Sequence, residues 1–276
     1  MSLISMKFKL NLQKTSAMKN YLILTLFVPV LLSFSCKKEP DKAKISFYFD
    51  HEVDEINLIP DSLLYTNAAG NKYSVDELQY FVSDVVLWVD GIPRVMQSDS
   101  NIHYVDIDIP GTLFWDPKFE VETGMADSLT FLFGFSAERN VSGLFVNPPE
   151  RDMFWPMVLG GGYHYMKMNG RWIDPQQQTQ AYNFHMGIGS VTDTSGNTTF
   201  VHNFFKVSCP LHQTLMSEPE NRIKISMNIQ EWFENPVVWN WNTVGGHIMM
   251  NQEAMHNAAL NGKDVFSASI TQLLFE

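Results

Sequence analysis

Asp152-Met-Phe-Trp-Pro-Met-Val-Leu-Gly-Gly-Gly-Tyr-His-Tyr-Met-Lys-Met-Asn-Gly170 and Tyr182-Asn-Phe-His-Met-Gly187 each contain a short run of aromatic and apolar residues bounded by glycine. Such runs, closed by Gly and Asn, are typical of β-strands. We therefore predict strands at Tyr163–Met168 and Tyr182–Met186. Gly160-Gly-Gly162 is interpreted as a place where the backbone bends or approaches closely before a strand. A phosphate-binding loop is disfavoured because the triplet lacks the Gly-Lys-Ser/Thr ending and a following helix.

The same pattern continues on both sides of these segments. Val85-Val-Leu-Trp-Val89 is followed by Asp90-Gly91, which predicts a strand and a hairpin turn. Further strands are predicted at Ile45–Phe49, His103–Ile109, Ser128–Phe135, Thr198–Val207, Ile223–Ile229 and Ser267–Phe275. Many short strands with little helix predict an all-β chain, an antiparallel β-sandwich with immunoglobulin-like layers.

Two short helices are expected within this all-β chain. Ser74-Val-Asp-Glu77 has the pattern of a capping box, which predicts a helix through Tyr80. Apolar residues at helical spacing predict a second, amphipathic helix from Gly245 to Asn261, centred on residues 247–260, with Asn261-Gly262 as its end.

The first residues have the pattern of a targeting signal. Lys14 and Lys19 precede the apolar run Tyr21–Leu32, and Ser33-Phe-Ser-Cys36 follows it. This arrangement predicts a bacterial lipoprotein signal peptide at residues 1–35 and lipidation of Cys36. Met18 is a natural initiator for such a signal, so we interpret residues 1–17 as lying before the true translation start. A membrane-anchoring helix is the alternative, disfavoured by the short run and Pro29.

The predicted mature chain has a lipidated tether at residues 36–43 and a single domain at residues 44–276. We expect it in the cell envelope, held by its lipid at the outer membrane on the periplasmic or the surface face. The whole chain has a net charge of −11; the first 35 residues hold four lysines and no acid, so the remainder carries 15 − 30 = −15. Such an acidic surface excludes nucleic acid as a partner. With Cys36 lipidated, Cys209 has no partner for a disulfide, and stability must come from a core.

Metal-binding and catalytic motifs are sparse. The eight histidines form no His-Glu-x-x-His pattern, and neither Cys-x-x-Cys nor a Gly-x-Ser-x-Gly elbow occurs. A site assembled from separate strands is still allowed, and imidazole with thioether donors favours copper in an oxidising compartment. Met166 and Met168 fit equally well as core residues. Trp232, Trp239 and Trp241 could form a sugar platform or a satellite core, and we favour the core.

The chain resembles the MbnP-like family, the periplasmic partner proteins of the methanobactin copper system and their relatives, in a lipoprotein branch. The similarity covers most of residues 45–230, with residues 231–276 as a branch-specific C-terminal extension. The matching segments are Tyr65–Val75, Leu78–Val85, Leu132–Gly134, Met153-Phe-Trp155, Gly162–Gly170, Phe184-His-Met-Gly187 and Gly262–Phe266.

The resemblance implies a β-sandwich that binds copper outside the cytoplasm, with a tryptophan oxidised to kynurenine by a partner dihaem, peroxidase-like enzyme. By position, Trp155 is the candidate for this modification and His185 is the imidazole that the family motif supplies. Ligand chemistry adds His51 and His164. The chain departs from the family in lacking paired cysteines and in having Asn140-Val141 where relatives have Asn-His. His51, His164 or His247 would then replace the missing ligand.

The predicted function is therefore a non-catalytic lipoprotein for copper handling, with His51, His164 and His185 around Trp155 and the methionines mainly in packing roles. One alternative is a structural or ligand-binding surface lipoprotein without metal. Another is a secreted, glycan-directed hydrolase that uses acidic residues and the Trp232–Trp241 cluster.

Overall fold

The strands of this chain assemble into two β-sheets packed face to face, in a computed structural model that describes residues 39–97 and 101–272. In chain order the strands are β1 Lys42–Val53, β2 Ile56–Asn57, β3 Tyr65–Thr66, β4 Lys72–Val89, β5 Ile92–Val95, β6 Ile102–Asp106, β7 Phe114–Glu122, β8 Gly124–Phe133, β9 Met166–Ile173, β10 Thr179–Met186, β11 Ile188–Thr192, β12 Thr198–His202, β13 Phe205–Leu215, β14 Asn221–Asn228 and β15 Phe266–Gln272. The helical elements are the 3-10 turns Pro110–Leu113, Glu150–Met153, Met157–Leu159 and Ile229–Phe233, and the α-helices α1 Trp241–Val244 and α2 Gln252–Asn261.

The two sheets differ in size and strand order. The smaller has the order β15-β14-β1-β2, with β7 also paired to β1. The larger has the order β10-β9-β4-β8-β13, with β3, β5 and β6 also paired to β4, and β11 and β12 form a separate hairpin. Pairing is antiparallel throughout these sheets except between β1 and β14, which are parallel. The predicted all-β sandwich is confirmed.

Aromatic side chains fill the space between the sheets. Phe49 of β1 meets Tyr80 of β4 edge to face, with ring centres 6.3 Å apart, and Tyr80 stacks on Phe133 of β8 at 5.7 Å. Aromatic pairs of this geometry add to the free energy gained from burial. Trp232, Trp239 and Trp241 are at most 1 % exposed, so the core interpretation is confirmed and they form no sugar platform. Met166 and Met168 are fully buried, as packing residues should be.

The predicted helix at Ser74–Tyr80 is wrong, because these residues lie within β4. The hydroxyl of Ser74 donates to Asp76 rather than capping a helix, and Arg171 of β9 donates to the same carboxylate. A register shift between Val75 and Glu77 marks a bulge in the β4–β9 pairing. Hydrogen bonding to both neighbouring strands outweighs a local capping pattern, which stabilises a helix only weakly.

The C-terminal helix is confirmed in position but not in length. It begins at Gln252, where the Asn251 side chain accepts a hydrogen bond from the Ala254 N–H, and not at Gly245. After it, β15 pairs with β14 and so adds a strand to the smaller sheet.

Several predicted strands shift in their bounds. Thr198–Val207 is interrupted at residues 203–204, giving β12 and β13, and the strand predicted at Tyr163–Met168 begins at Met166. The predicted signal peptide and the lipidated Cys36 lie outside the described residues. Within residues 39–97 and 101–272, no helix is long and apolar enough to cross a membrane.

A long connection, residues 134–165, covers the outer face of the larger sheet. Phe145 from this connection stacks on Phe81 of β4 at 5.3 Å and meets Tyr163 edge to face at 5.0 Å. Connections of this length without strands of their own are uncommon in compact domains and are often functional. The connection supplies two residues of the candidate site, Trp155 and His164.

Candidate metal centre

Two short segments of the long connection bring Trp155 beside His164. The N–H of Trp155 donates to the carbonyl of Gly162 at 2.8 Å, and the N–H of His164 donates to the carbonyl of Met153 at 2.7 Å. This antiparallel pairing places the two rings 4.6 Å apart at an interplanar angle of 76°. Trp155 is fully buried, and its indole N–H donates to the carbonyl of Leu159 at 3.1 Å.

The glycine triplet makes this turn possible. Gly160, Gly161 and Gly162 have φ values of +115°, +70° and +78°, a region that residues with a Cβ rarely adopt. At Gly162 a Cβ would lie 2.4 Å from the side-chain oxygen of Asn140. That oxygen accepts a hydrogen bond from the Tyr163 N–H at 2.7 Å, so the close approach is part of the structure. The interpretation of the triplet as a bend and close contact is confirmed.

His185 completes a pair of imidazoles. It lies on β10 with its side chain on the outer face of the larger sheet, since the alternate residues Phe184 and Met186 face the core. Its ring centre is 5.2 Å from that of His164, at an interplanar angle of 81°. Gly187 follows, and a Cβ there would lie 2.6 Å from the Trp155 ring. The sequence motif therefore brings Trp155, His164 and His185 into one place.

Hydrogen bonds fix the tautomer of each imidazole. Nδ1 of His164 donates to the carbonyl of Met153 at 2.9 Å, which leaves the lone pair on Nε2. Nε2 of His185 donates to Oδ1 of Asn169 at 2.7 Å, which leaves the lone pair on Nδ1. The Asn169 amide is itself oriented, because its Nδ2 donates to the Glu77 carboxylate at 2.7 Å. Metal-binding histidines typically donate their second nitrogen in this way to a carbonyl or a carboxylate-linked group.

The remaining nitrogen of His185 has no partner. Nδ1 is buried and makes no hydrogen bond. An unpaired buried polar atom is uncommon and costs free energy, so it requires an explanation such as an ion or a catalytic role. Nδ1 is the atom that the Asn169 hydrogen bond leaves free to bind a cation.

Both rings are neutral at physiological pH. Burial lowers the pKa of His164 to about 3, with further lowering by Lys167 and His185. Burial lowers the pKa of His185 to about 4, and the positive charge of Lys167 acts in the same direction. Neutral imidazole is the form that binds metal, so no proton needs to be displaced.

The distance between the two ring centres agrees with a single shared metal ion. With a metal–nitrogen bond of about 2.0 Å, two imidazoles at a tetrahedral or trigonal ion have ring centres about 5 Å apart, close to the separation found here. Among residues 39–97 and 101–272, no three His, Cys, Asp or Glu side chains converge as a metal site. Two neutral nitrogens suit a soft ion of low coordination number better than zinc, whose structural sites have four such ligands.

The structure does not bring His51 to this pair. His51 lies on β1 between the two sheets, where Nε2 is 3.1 Å from the hydroxyl of Tyr80. Tyr80 faces the core, whereas His185 lies on the opposite face of the same sheet. His51 therefore occupies a structural position in the core.

Sequence reasoning missed the residues that support the pair. Asn169 and Glu77 lie on neighbouring strands, and Lys167 pairs in register with His185. Lys167 and Asn169 alternate with buried residues along β9, which indicates that both side chains face outward. The register that places them beside His185 depends on which strands pair, and the sequence alone does not show it. Met249 and Met250 line a cavity together with His185, and they precede the helix, which begins only at Gln252.

The chain matches a known protein family over most of its length. A family model described as MbnP matches residues 42–251. A solved structure, MbnP from Methylosinus trichosporium, is similar with a TM-score of 0.48 and 13 % sequence identity, over 83 % of this chain and 99 % of that one. The curated proteins gave no match.

Proposed function

Because the chain belongs to the MbnP family, we propose that it is a non-catalytic protein that binds copper in the cell envelope through His164 and His185, beside Trp155. The observation that carries the proposal is the imidazole pair, in which each ring has one nitrogen held by a hydrogen bond and one nitrogen free. The unpaired, buried Nδ1 of His185 supports it most directly.

The charge around the pair favours a cuprous ion. Both donors are neutral nitrogens, and the ammonium group of Lys167 is close enough to lower the pKa of both rings. A nearby positive charge disfavours a divalent ion more than a monovalent one. Among the divalent metals, copper is also the one that imidazole donors bind most strongly, so a cupric ion is held better than zinc.

We further propose that Trp155 is oxidised to kynurenine by a partner dihaem enzyme. The indole C2–C3 bond breaks, C3 becomes a ketone, C2 leaves as formate, and the ring nitrogen remains as a primary arylamine. The balance is one dioxygen and one water consumed per tryptophan, with the partner enzyme activating the oxidant. What supports this is the position of the Trp155 ring, 4.6 Å from His164, where the new amine would add a third nitrogen donor.

The location in the cell envelope rests on the N-terminal sequence. The apolar run Tyr21–Leu32 followed by Cys36 supports a lipid anchor. Palmitate labelling of the expressed protein, lost in Cys36→Ala, tests this part separately from the metal.

Metal analysis of the protein purified from its native host tests the central proposal. We expect about one copper per chain and a Trp155-containing peptide with the mass of kynurenine. Absence of copper together with an intact Trp155 would overturn it.

Variants assign the ligands. His164→Gln and His185→Gln should each lose copper, whereas His256→Gln, an exposed histidine on α2, should retain it. The metal-free alternative expects all three variants to bind whatever the parent protein binds.

A further inference from the structure

A solvent-open cavity of about 510 Å³ adjoins the histidine pair. Its lining comprises two asparagines, two histidines and two methionines: Asn183, His185, His247, Met249, Met250 and Asn251. His185 belongs both to this cavity and to the pair with His164. The cavity therefore extends from solvent to the ring of His185, whose Nδ1 is buried and unpaired.

The segment that carries His247 is held against β10. The N–H of Asn183 donates to the carbonyl of Gly246 at 2.6 Å, and Asn183 and His247 form an isolated parallel bridge. A Cβ at Gly246 would lie 2.5 Å from the carbonyl oxygen of Ala181, so this close approach requires glycine. His247 is thus fixed near His185, close enough to contribute to the lowering of the His185 pKa.

Met249 and Met250 lie in a short segment whose two ends are held in place. Ile248 is 1 % exposed and anchors the segment in the core, and the Asn251 side chain fixes the start of α2. Between these anchors Met250 is 86 % exposed and Met249 is half-buried. A methionine this exposed contributes little to the free energy of folding, so packing does not explain it. A thioether in solvent is, however, a soft metal donor.

We propose that His247, Met249 and Met250 form an entry site that captures a cuprous ion at the surface and passes it to His185. This inference rests on the proposed function, since it supplies the pair with its ion. No carboxylate lines the cavity, so the donors are one imidazole and two thioethers, a set that selects a soft monovalent ion over Ca²⁺, Mg²⁺ or Zn²⁺. Transfer is ligand exchange alone: metal–sulfur and His247 bonds break as the Nδ1 bond of His185 forms, with no change of oxidation state.

Silver(I), a redox-inert soft monovalent ion, tests the entry site independently of the pair. In the His164→Gln/His185→Gln double variant, added silver should shift the methyl NMR signals of Met249 and Met250 and leave that of Met216 unchanged. Met216 is a matched control because it is 43 % exposed and lies outside the cavity lining. Unshifted signals for Met249 and Met250 would overturn the entry site even if the parent protein binds copper.

Transfer kinetics test the role in loading. Copper(I) is supplied as its coloured bicinchoninate complex, and the loss of colour gives both the rate of uptake and the affinity at equilibrium. We expect Met249→Leu/Met250→Leu to lower the uptake rate severalfold, with unchanged affinity, because the surface thioethers that capture the ion are removed. Met216→Leu should load at the parent rate.

The outcomes separate the two proposals. An unchanged uptake rate in the double methionine variant overturns the entry site and leaves the proposed function intact. An equal fall in rate and affinity makes the methionines ligands of the final site, which also overturns an entry role. Failure of the parent protein to take copper from the chelator overturns the proposed function itself.

Discussion

At the scale of single residues, Asn169 decides which nitrogen of His185 is free. Its Oδ1 accepts from Nε2 of His185, and its own amide is held by Glu77. In Asn169→Ala the ring loses this anchor and the preference for the Nε2–H tautomer. We expect the copper(I) affinity to fall by about 10- to 100-fold, measured by chelator competition, as is typical when such a supporting hydrogen bond is removed. Gln180→Ala, on the same strand as His185, should retain the parent affinity, and an equal affinity in both variants would contradict the assigned role.

For His51 we expect the opposite result, a loss of stability without a loss of copper. It is buried between the sheets against the Tyr80 hydroxyl. His51→Leu removes that hydrogen-bond partner and should lower the free energy of unfolding by about 1–3 kcal/mol, the cost of leaving a buried polar group unpaired. Urea denaturation measures this loss. Copper stoichiometry should be unchanged, and loss of copper from a folded His51→Leu protein would place this residue at the metal after all.

At the scale of elements, the contact between Gly187 and Trp155 ties the end of β10 to the long connection. A Cβ at residue 187 would lie 2.6 Å from the Trp155 ring, which is itself fully buried. Gly187→Ala should therefore displace the ring and lower the free energy of unfolding by about 1–3 kcal/mol, as overpacking does. The measurements are urea denaturation and tryptophan emission. Gly111→Ala is a matched control because nothing lies within 4 Å of its added Cβ; similar losses in both variants would show that the close contact is unimportant.

Strand patterns could be predicted from the sequence where alternation persists over several residues, as at Tyr182–Met186. The predictions were wrong where a local motif resembles the motif of a different element. Ser74-Val-Asp-Glu77 resembles a capping box, yet its polar residues bond to β9, which is distant in sequence. Met249 fits helical spacing, yet it lies in the segment before α2 begins at Gln252. At Ser74 long-range pairing decides the structure, which no local pattern shows. At Met249 the start of α2 is set by the Asn251 cap, which helical spacing alone does not reveal.

At the scale of the whole molecule, the candidate site was predictable in part. His164 lies in the same sequence segment as Trp155, His185 lies in the next glycine-bounded segment, and the three rings come together in space. The position of His51 could not be predicted in this way. Alternation along a strand shows which residues share a face, but it does not show which residues of the other sheet that face packs against. The packing of β1 against β4 across the core, and the pairing of β9 with β10, set that outcome through long-range contacts.

The whole molecule should also lose stability as the pH falls. Burial lowers the pKa of His51 to about 4 and that of His103 to about 4, and the candidate ligands are shifted in the same direction. Below about pH 6.5 the unfolded chain therefore binds protons that the folded chain does not, which lowers the free energy of unfolding by up to about 1.4 kcal/mol per pH unit for each such ring. This loss develops between the unfolded pKa near 6.5 and the folded values near 4.

Urea denaturation of the metal-free protein at pH 7.5, 6.5 and 5.5, above the range in which most carboxyl groups titrate, measures this dependence. His103 is stacked between Phe49 and Trp115, so His103→Phe keeps an aromatic ring there and removes one titrating group. In this variant the free energy of unfolding should change less steeply with pH, whatever its absolute value, because one proton fewer is linked to unfolding. A free energy of unfolding that stays constant from pH 7.5 to 5.5 would mean that these histidines are protonated as readily in the folded chain as in the unfolded one.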